Sequence, residues 1–135
     1  MTNATKNQTK TVLLVDDDLD FLAQHQILLQ NIGFTVVTAE SQRQAEELLK
    51  TQKPDLAIVD LMMEHMDGGF ALCYHIKKLD AKIPVILVTA VSSETGLEFD
   101  AATKEERSWV KADVMLSKPI RFEQLQREIE RLLSK

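Results

Sequence analysis

The stretch Asp55-Leu56-Ala57-Ile58-Val59-Asp60-Leu61-Met62-Met63-Glu64-His65-Met66-Asp67-Gly68-Gly69 decides how the rest of the chain is read. Leu56 to Val59 is a short apolar run that ends on a carboxylate, Asp60. A continuous run of this length suits a strand buried on both faces, as in a parallel sheet. Asp67-Gly68-Gly69 then signals a turn into a helix. Asp60 is therefore expected at the carboxyl end of a buried strand, the edge at which open α/β sheets bind their ligands.

Outward from that stretch the same alternation repeats. Upstream, Thr11 to Val15 is a buried strand that ends in Asp16-Asp17-Asp18. A helix follows, with Asp18 as its N-cap and Asp20 favourable in its first turn. Phe21, Leu28 and Ile32 are expected on its inward face with Leu22 and Leu29 beside them, and Gly33 stops it. Phe34 to Ala39 is the second strand; Ser41 caps a second helix that turns Ala45, Leu48 and Leu49 inward, and Pro54 closes it. Downstream, Phe70 to Leu79 reads as a helix and Val85 to Thr89 as the fourth strand. A further helix is expected from about Asp100 to Val110 within the polar segment Ala90 to Ala112. Val114 to Leu116 is the fifth strand, followed by Ser117-Lys118-Pro119. A last helix spans Phe122 to Leu133, with Leu125, Ile129, Leu132 and Leu133 inward. Five strands alternating with five helices call for a doubly wound parallel sheet.

Composition bounds the function. The chain has 135 residues, 44% hydrophobic and 27% charged, which fits one folded domain: a tail over residues 1–10 and a domain over 11–135, with no output domain expected. A net charge of −5 without a basic patch argues against a nucleic-acid partner. The single cysteine, Cys73, excludes an internal disulfide and fits a reducing compartment, and Cys73 reads as a small core or boundary residue. No apolar run is long enough for membrane insertion and no secretory leader is seen, so a cytoplasmic location is expected.

In a parallel sheet all strand ends of one sense share an edge. That edge gathers Asp16, Asp17, Asp60, Thr89 and Lys118. Three crowded carboxylates repel one another unless a cation intervenes. Hard oxygen ligands with open positions suit Mg²⁺. A lysine can bind a phosphate as a point charge and a hydroxyl can donate to it. Carboxylates serve as phosphoryl acceptors elsewhere. The set therefore reads as a site for a phosphoryl group bound to, or passing onto, Asp60.

Val15-Asp16-Asp17, Val59-Asp60, Met66-Asp67-Gly68, Val88-Thr89-Ala90 and Lys118-Pro119, in that order, make the chain resemble the receiver domain of two-component response regulators from Thr11 to Lys135. The resemblance implies a flavodoxin-like fold of strand order 2-1-3-4-5. It implies a stand-alone regulator, similar to those of chemotaxis, in which Asp60 accepts a phosphoryl group from a sensor histidine kinase or phosphotransfer protein. Asp17, Asp60 and the backbone carbonyl of Met62 would ligate Mg²⁺ directly and Asp16 mainly through water. Lys118 would pair with phosphoryl oxygens, Thr89 would donate to them, and the Lys118–Pro119 bond would be cis. Such a domain catalyses its own phosphorylation and dephosphorylation and is not a turnover enzyme. It signals by switching its binding to a downstream protein target through the face around the fourth and fifth helices, where homodimers also form. Kinase docking falls on the first helix, over Leu22 to Leu29.

Departures from the family pattern are local. Glu64 and His65 replace a proline-glycine pair, which implies a looser loop and slower phosphorylation. Met115 stands where an aromatic residue often couples to the threonine, and extra residues fall between Val91 and Asp100, on the expected partner face. Met62 and Val91 are apolar at positions that tune water access, implying a long-lived phosphoryl group. Two other readings stay open here. A degenerate receiver would act as a phosphorylation-independent interaction module. An aspartate-nucleophile phosphatase would want a second aspartate where Met62 stands. A dinucleotide site is disfavoured, because no Gly-x-Gly-x-x-Gly follows the first strand. His25 and His75 have no ligand-spaced partner, and His65 reads as a loop residue.

Overall fold

The computed structural model describes residues 10–60, 68–89 and 113–134. Five strands form one parallel sheet: β1 (Thr11–Val15), β2 (Thr35–Ala39), β3 (Leu56–Asp60), β4 (Val85–Thr89) and β5 (Val114–Ser117), in the order β2-β1-β3-β4-β5. Four helices are described: α1 (Leu19–Asn31), α2 (Gln42–Leu49), α3 (Gly68–Leu79) and α4 (Phe122–Leu133). The helix expected at Asp100 to Val110, Met62, Glu64, His65, Val91, and residues 1–9 of the tail lie outside the described residues. Lys10 is already tied in, its carbonyl accepting from the Thr35 N–H at 2.9 Å.

The period-2 alternation of the strands divides the core. Leu13, Val15, Ala57, Val59, Val85 and Leu87 face one side and pack with α2 and α3 through Ala45, Leu49, Leu72, Cys73 and Ile76. Val12, Leu14, Leu56, Ile58, Ile86 and Val88 face the other and pack with α1 and α4 through Leu22, Leu29, Leu125, Ile129 and Leu132. Each face of the sheet is thus covered by two of the described helices, which is why the strands read as unbroken apolar runs.

Helix ends follow local chemistry. The Asp18 carboxylate accepts from the N–H groups of Asp20 and Phe21 at 3.0 and 3.2 Å, and the Ser41 hydroxyl accepts from Gln44 N–H at 3.1 Å. These are the expected N-caps. At the end of α1, Phe34 N–H donates to Leu29 C=O and Gly33 N–H to Gln30 C=O, with Gly33 at φ 104°. This is a Schellman turn, which glycine enters without a Cβ penalty. It corrects two expectations. Phe34 closes the helix and leaves β2 to begin at Thr35. Ile32 caps α1 and is exposed, so the buried face of the helix is Leu22, His25 and Leu29, with Phe21 half-buried beside it.

At the opposite edge from Asp60, Lys77 and Asp113 join three elements. Lys77 Nζ donates to Asp113 Oδ2 at 2.7 Å and to the Ile83 carbonyl at 2.7 Å. Asp113 Oδ2 also accepts from the Val85 N–H at 2.8 Å. One carboxylate thereby anchors the start of β4 and the end of α3 beside β5. Asp113→Ala leaves the Val85 N–H and a largely buried ammonium without this acceptor. It should lower stability by about 1–3 kcal/mol in urea titration, with the slope unchanged. Cys73, in the core on the α2–α3 side of the sheet, has its thiol pushed up to about 12 by burial; Lys77 pulls it down and Asp113 pushes it up. A thiol reagent at pH 8 should leave Cys73 unmodified in the folded protein and react fully in denaturant.

Candidate functional site

The site is built at the carboxyl edge of the sheet. Asp60 is the last residue of β3, and the register pairs it with Val88 of β4. Asp16 follows β1 directly, with its N–H donating to the Ala39 carbonyl at 3.1 Å. Because β1 and β3 are adjacent and parallel, Asp16 and Asp17 arrive beside Asp60. One carboxylate oxygen from each of the three lies within 4.8 Å of the others. Asp16 and Asp60 are buried, at 1% and 4% exposure, while Asp17 is exposed. Thr89 ends β4 and is buried, and the register sets it opposite Ser117, one residue before Lys118.

The cation comes from beyond β5. Lys118 N–H donates to the Thr89 carbonyl at 2.7 Å, which carries the chain back toward the site. The Lys118–Pro119 peptide is cis, as the resemblance to receiver domains implied. Lys118 Nζ reaches Asp16 Oδ2 at 2.9 Å. Burial, the largest single influence on Lys118, pulls its pKa down. The hydrogen bond to Asp16 and the charges of Asp16, Asp60 and Asp18 outweigh it, so the ammonium is held above its ordinary range. A raised lysine pKa means that the ion pair contributes its stability at neutral pH and loses it only as pH rises through the shifted value.

The two oxygens of Asp16 are both engaged: Oδ1 accepts from Asp18 N–H at 2.9 Å and Oδ2 from Lys118. Asp17 is the carboxylate open to solvent. Three hard oxygens, one of them facing water, match the preference of Mg²⁺ for a few carboxylates and several retained waters. The donor set therefore fits that ion. Every expected site residue within the described segments, Asp16, Asp17, Asp60, Thr89 and Lys118, stands at this one edge. Met115 is half-buried and packs against the α2–α3 side of the core.

Residues 12–130 match the response regulator receiver domain. The chain belongs to the response regulator receiver domain family. It is 40% identical over 124 residues to the transcriptional regulatory protein ZraR of Escherichia coli, a match covering 91% of this chain and 26% of that protein. The chain thus spans about a quarter of the length of that relative. Among solved structures it resembles the response regulator TrrA of Thermotoga maritima in complex with Mg(2+)-BeF, at 26% identity and a TM-score of 0.75, covering 93% of this chain and all of that one. It also shares the fold of a CheY-like receiver domain protein from Methanospirillum hungatei, at 24% identity and TM-score 0.79, covering 94% and 95%. The name of the first relative bears on the expected lack of a nucleic-acid partner, which is confined here to the receiver's own acidic composition. Among the described residues no helix is long and apolar enough to cross a membrane.

Sequence reasoning missed two residues next to the site. Phe21 was expected simply as core and His25 was given no role. Phe21 lies with its ring centroid 4.7 Å from Lys118 Nζ, and the buried His25 stacks on it. Helical spacing alone ranks Phe21 with the core, and its contact with Lys118 depends on a turn 97 positions further along the chain. On α1, Leu22 and Leu29 are buried and face the core. The outward apolar side chains are Leu19 and Ile27.

Crowding of three carboxylates predicts a stability cost for the acidic edge in metal-free buffer. Asp60→Asn removes one charge from a group spanning 4.8 Å. It should raise the unfolding midpoint by about 3–6 °C, a gain of roughly 1 kcal/mol, in the presence of chelator. Saturating Mg²⁺ should abolish or reverse the difference, because it stabilises the three-carboxylate protein more.

Proposed function

We propose that this receiver accepts a phosphoryl group on Asp60 from the phosphohistidine of a sensor histidine kinase or phosphotransfer protein, in a Mg²⁺-dependent reaction, and thereby switches its binding to a downstream protein target. Residues 11–135 work as the receiver unit, in the cytoplasm. The observation that carries the reading is the acidic edge itself: three carboxylates within 4.8 Å, neutralised in part by one lysine from a distant strand end. Membership of the receiver family supports it. So does the likeness to TrrA, described in complex with Mg(2+)-BeF, since beryllium fluoride resembles a phosphoryl group in shape and charge.

In this reading Asp17, Asp60 and the Met62 carbonyl hold Mg²⁺ directly, and Asp16 holds it through water. When bound, the ion neutralises the carboxylates and the phosphoryl oxygens, which lets two anions approach. An Asp60 oxygen attacks phosphorus while the P–N bond of the phosphohistidine breaks, and the imidazole keeps that electron pair. The Lys118 ammonium turns from Asp16 to a phosphoryl oxygen, and the Thr89 hydroxyl donates to another. The work of the chain is positioning and charge compensation. Hydrolysis of the acyl phosphate later restores the carboxylate, so the domain catalyses its own cycle and is a phosphoacceptor, not a turnover enzyme. The outward face of α1, with Leu19 and Ile27, is where the kinase would dock. The intact edge favours this reading over a phosphorylation-independent interaction module.

Incubation with acetyl phosphate and Mg²⁺ should add one phosphoryl group by intact mass. The addition should be lost in Asp60→Asn and in chelator, and strongly slowed in Lys118→Ala. Failure to add mass from either a small donor or a phosphorylated histidine kinase would sink the proposal.

A further inference from the structure

The Lys118 ammonium is held from two sides, and the second side is aromatic. Its Nζ lies 2.9 Å from Asp16 Oδ2 and 4.7 Å from the centroid of the Phe21 ring. That distance is within the range in which a ring face attracts a cation. The lysine side chain is 22% exposed, so the attraction is only partly screened.

Phe21 is itself fixed by its neighbours. Its N–H donates to the Asp18 carboxylate, and Asp18 N–H donates to Asp16 Oδ1. Its ring is stacked on His25, with centroids 4.0 Å apart and planes inclined by 24°. The His25 ring is held in turn, Nδ1 lying 3.0 Å from the Phe21 carbonyl, which can only accept, so Nδ1 carries the proton. The contacts close a circuit: Asp16 to Asp18, Asp18 to Phe21, Phe21 to Lys118, and Lys118 back to Asp16. A leucine at position 21 would fill much of the same volume but would offer no face to a cation.

We infer that Phe21 is a positioning residue for Lys118, its ring seating the ammonium beside Asp16 from which it passes to a phosphoryl group on Asp60. The functional half of this inference rests on the phosphoacceptor reading; the resting seat does not. Without the ring the lysine samples more rotamers and meets the incoming phosphoryl group less often in the productive place.

The test compares the full chain with Phe21→Leu and Phe21→Tyr. In the resting protein, the ε-methylene signals of Lys118 in a ¹H–¹³C correlation spectrum should lie upfield, shifted by the ring current of Phe21. Phe21→Leu should abolish that shift and Phe21→Tyr should keep it. The ring keeps its contact with the ammonium as it turns from Asp16 to a phosphoryl oxygen, so phosphoryl uptake from acetyl phosphate with Mg²⁺ should slow in Phe21→Leu by about two- to thirty-fold, the range expected for a cation–π contact from exposed to desolvated. Phe21→Tyr should restore the rate, and thermal midpoints identify any loss that comes from unfolding. Lys118 signals at ordinary positions in the resting protein would overturn the inference, as would equal slowing in the leucine and tyrosine variants. If the unsubstituted chain took up no phosphoryl group, the phosphoacceptor reading would fail, and the resting seat would stand or fall on the ring-current shift alone.

Discussion

Crowded negative charge is the constraint on which the rest of this receiver depends. Parallel pairing of β1 with β3 forces Asp16, Asp17 and Asp60 to one edge. Two of them are almost completely buried, where a charge is costly unless compensated. The compensation is drawn from elsewhere in the fold. Asp18 offers its N–H to Asp16, and Lys118 brings the cation. The sheet, the caps and the turn after β5 can be read as the apparatus that holds four charged groups in a geometry they would not adopt unaided.

That arrangement explains why the core is split so evenly. A sheet covered on both sides leaves only its edges open, and functional groups can then sit only at strand ends. Leu13 and Val15 pack toward α2 and α3 while Val12 and Leu14 pack toward α1 and α4, so β1 is locked on both faces before it delivers Asp16. The Lys77–Asp113 contact performs the corresponding task at the opposite edge, where it ties the starts of β4 and β5 to α3. Rigid strands make the positions of Asp60 and Thr89 well defined, while lysine, on a long stem, is the member able to move.

Much of this was legible in the chain itself. Five apolar runs, each ending on a polar residue, specify a parallel sheet and name the site residues at once, because burial of a strand and exposure of its end are both written in local composition. Asp18, Ser41 and Gly33 announce helix ends through chemistry that acts over a few residues. What escaped depends on contacts distant in sequence or on geometry that spacing does not encode. Ile32 continues the apolar periodicity of α1, yet the turn at Gly33 ends the helix and leaves it exposed. His25 replaces an apolar residue on the buried face and satisfies itself on a backbone carbonyl, which no motif predicts. Phe21 touches Lys118 only because α1 and the turn after β5 meet in three dimensions.

The ion pair between Asp16 and Lys118 joins residues 102 positions apart. A chain made from its amino end produces β1 and β3, with all three carboxylates, well before the lysine that tempers them. Contacts of such separation carry a large closure entropy and form late. Until Lys118 arrives, the three carboxylates carry negative charge that this lysine does not offset, and they attract cations rather than anions. A divalent cation in the surrounding solution is then the natural counter-ion, and the Lys118 ammonium joins Asp16 only as the turn after β5 comes into place.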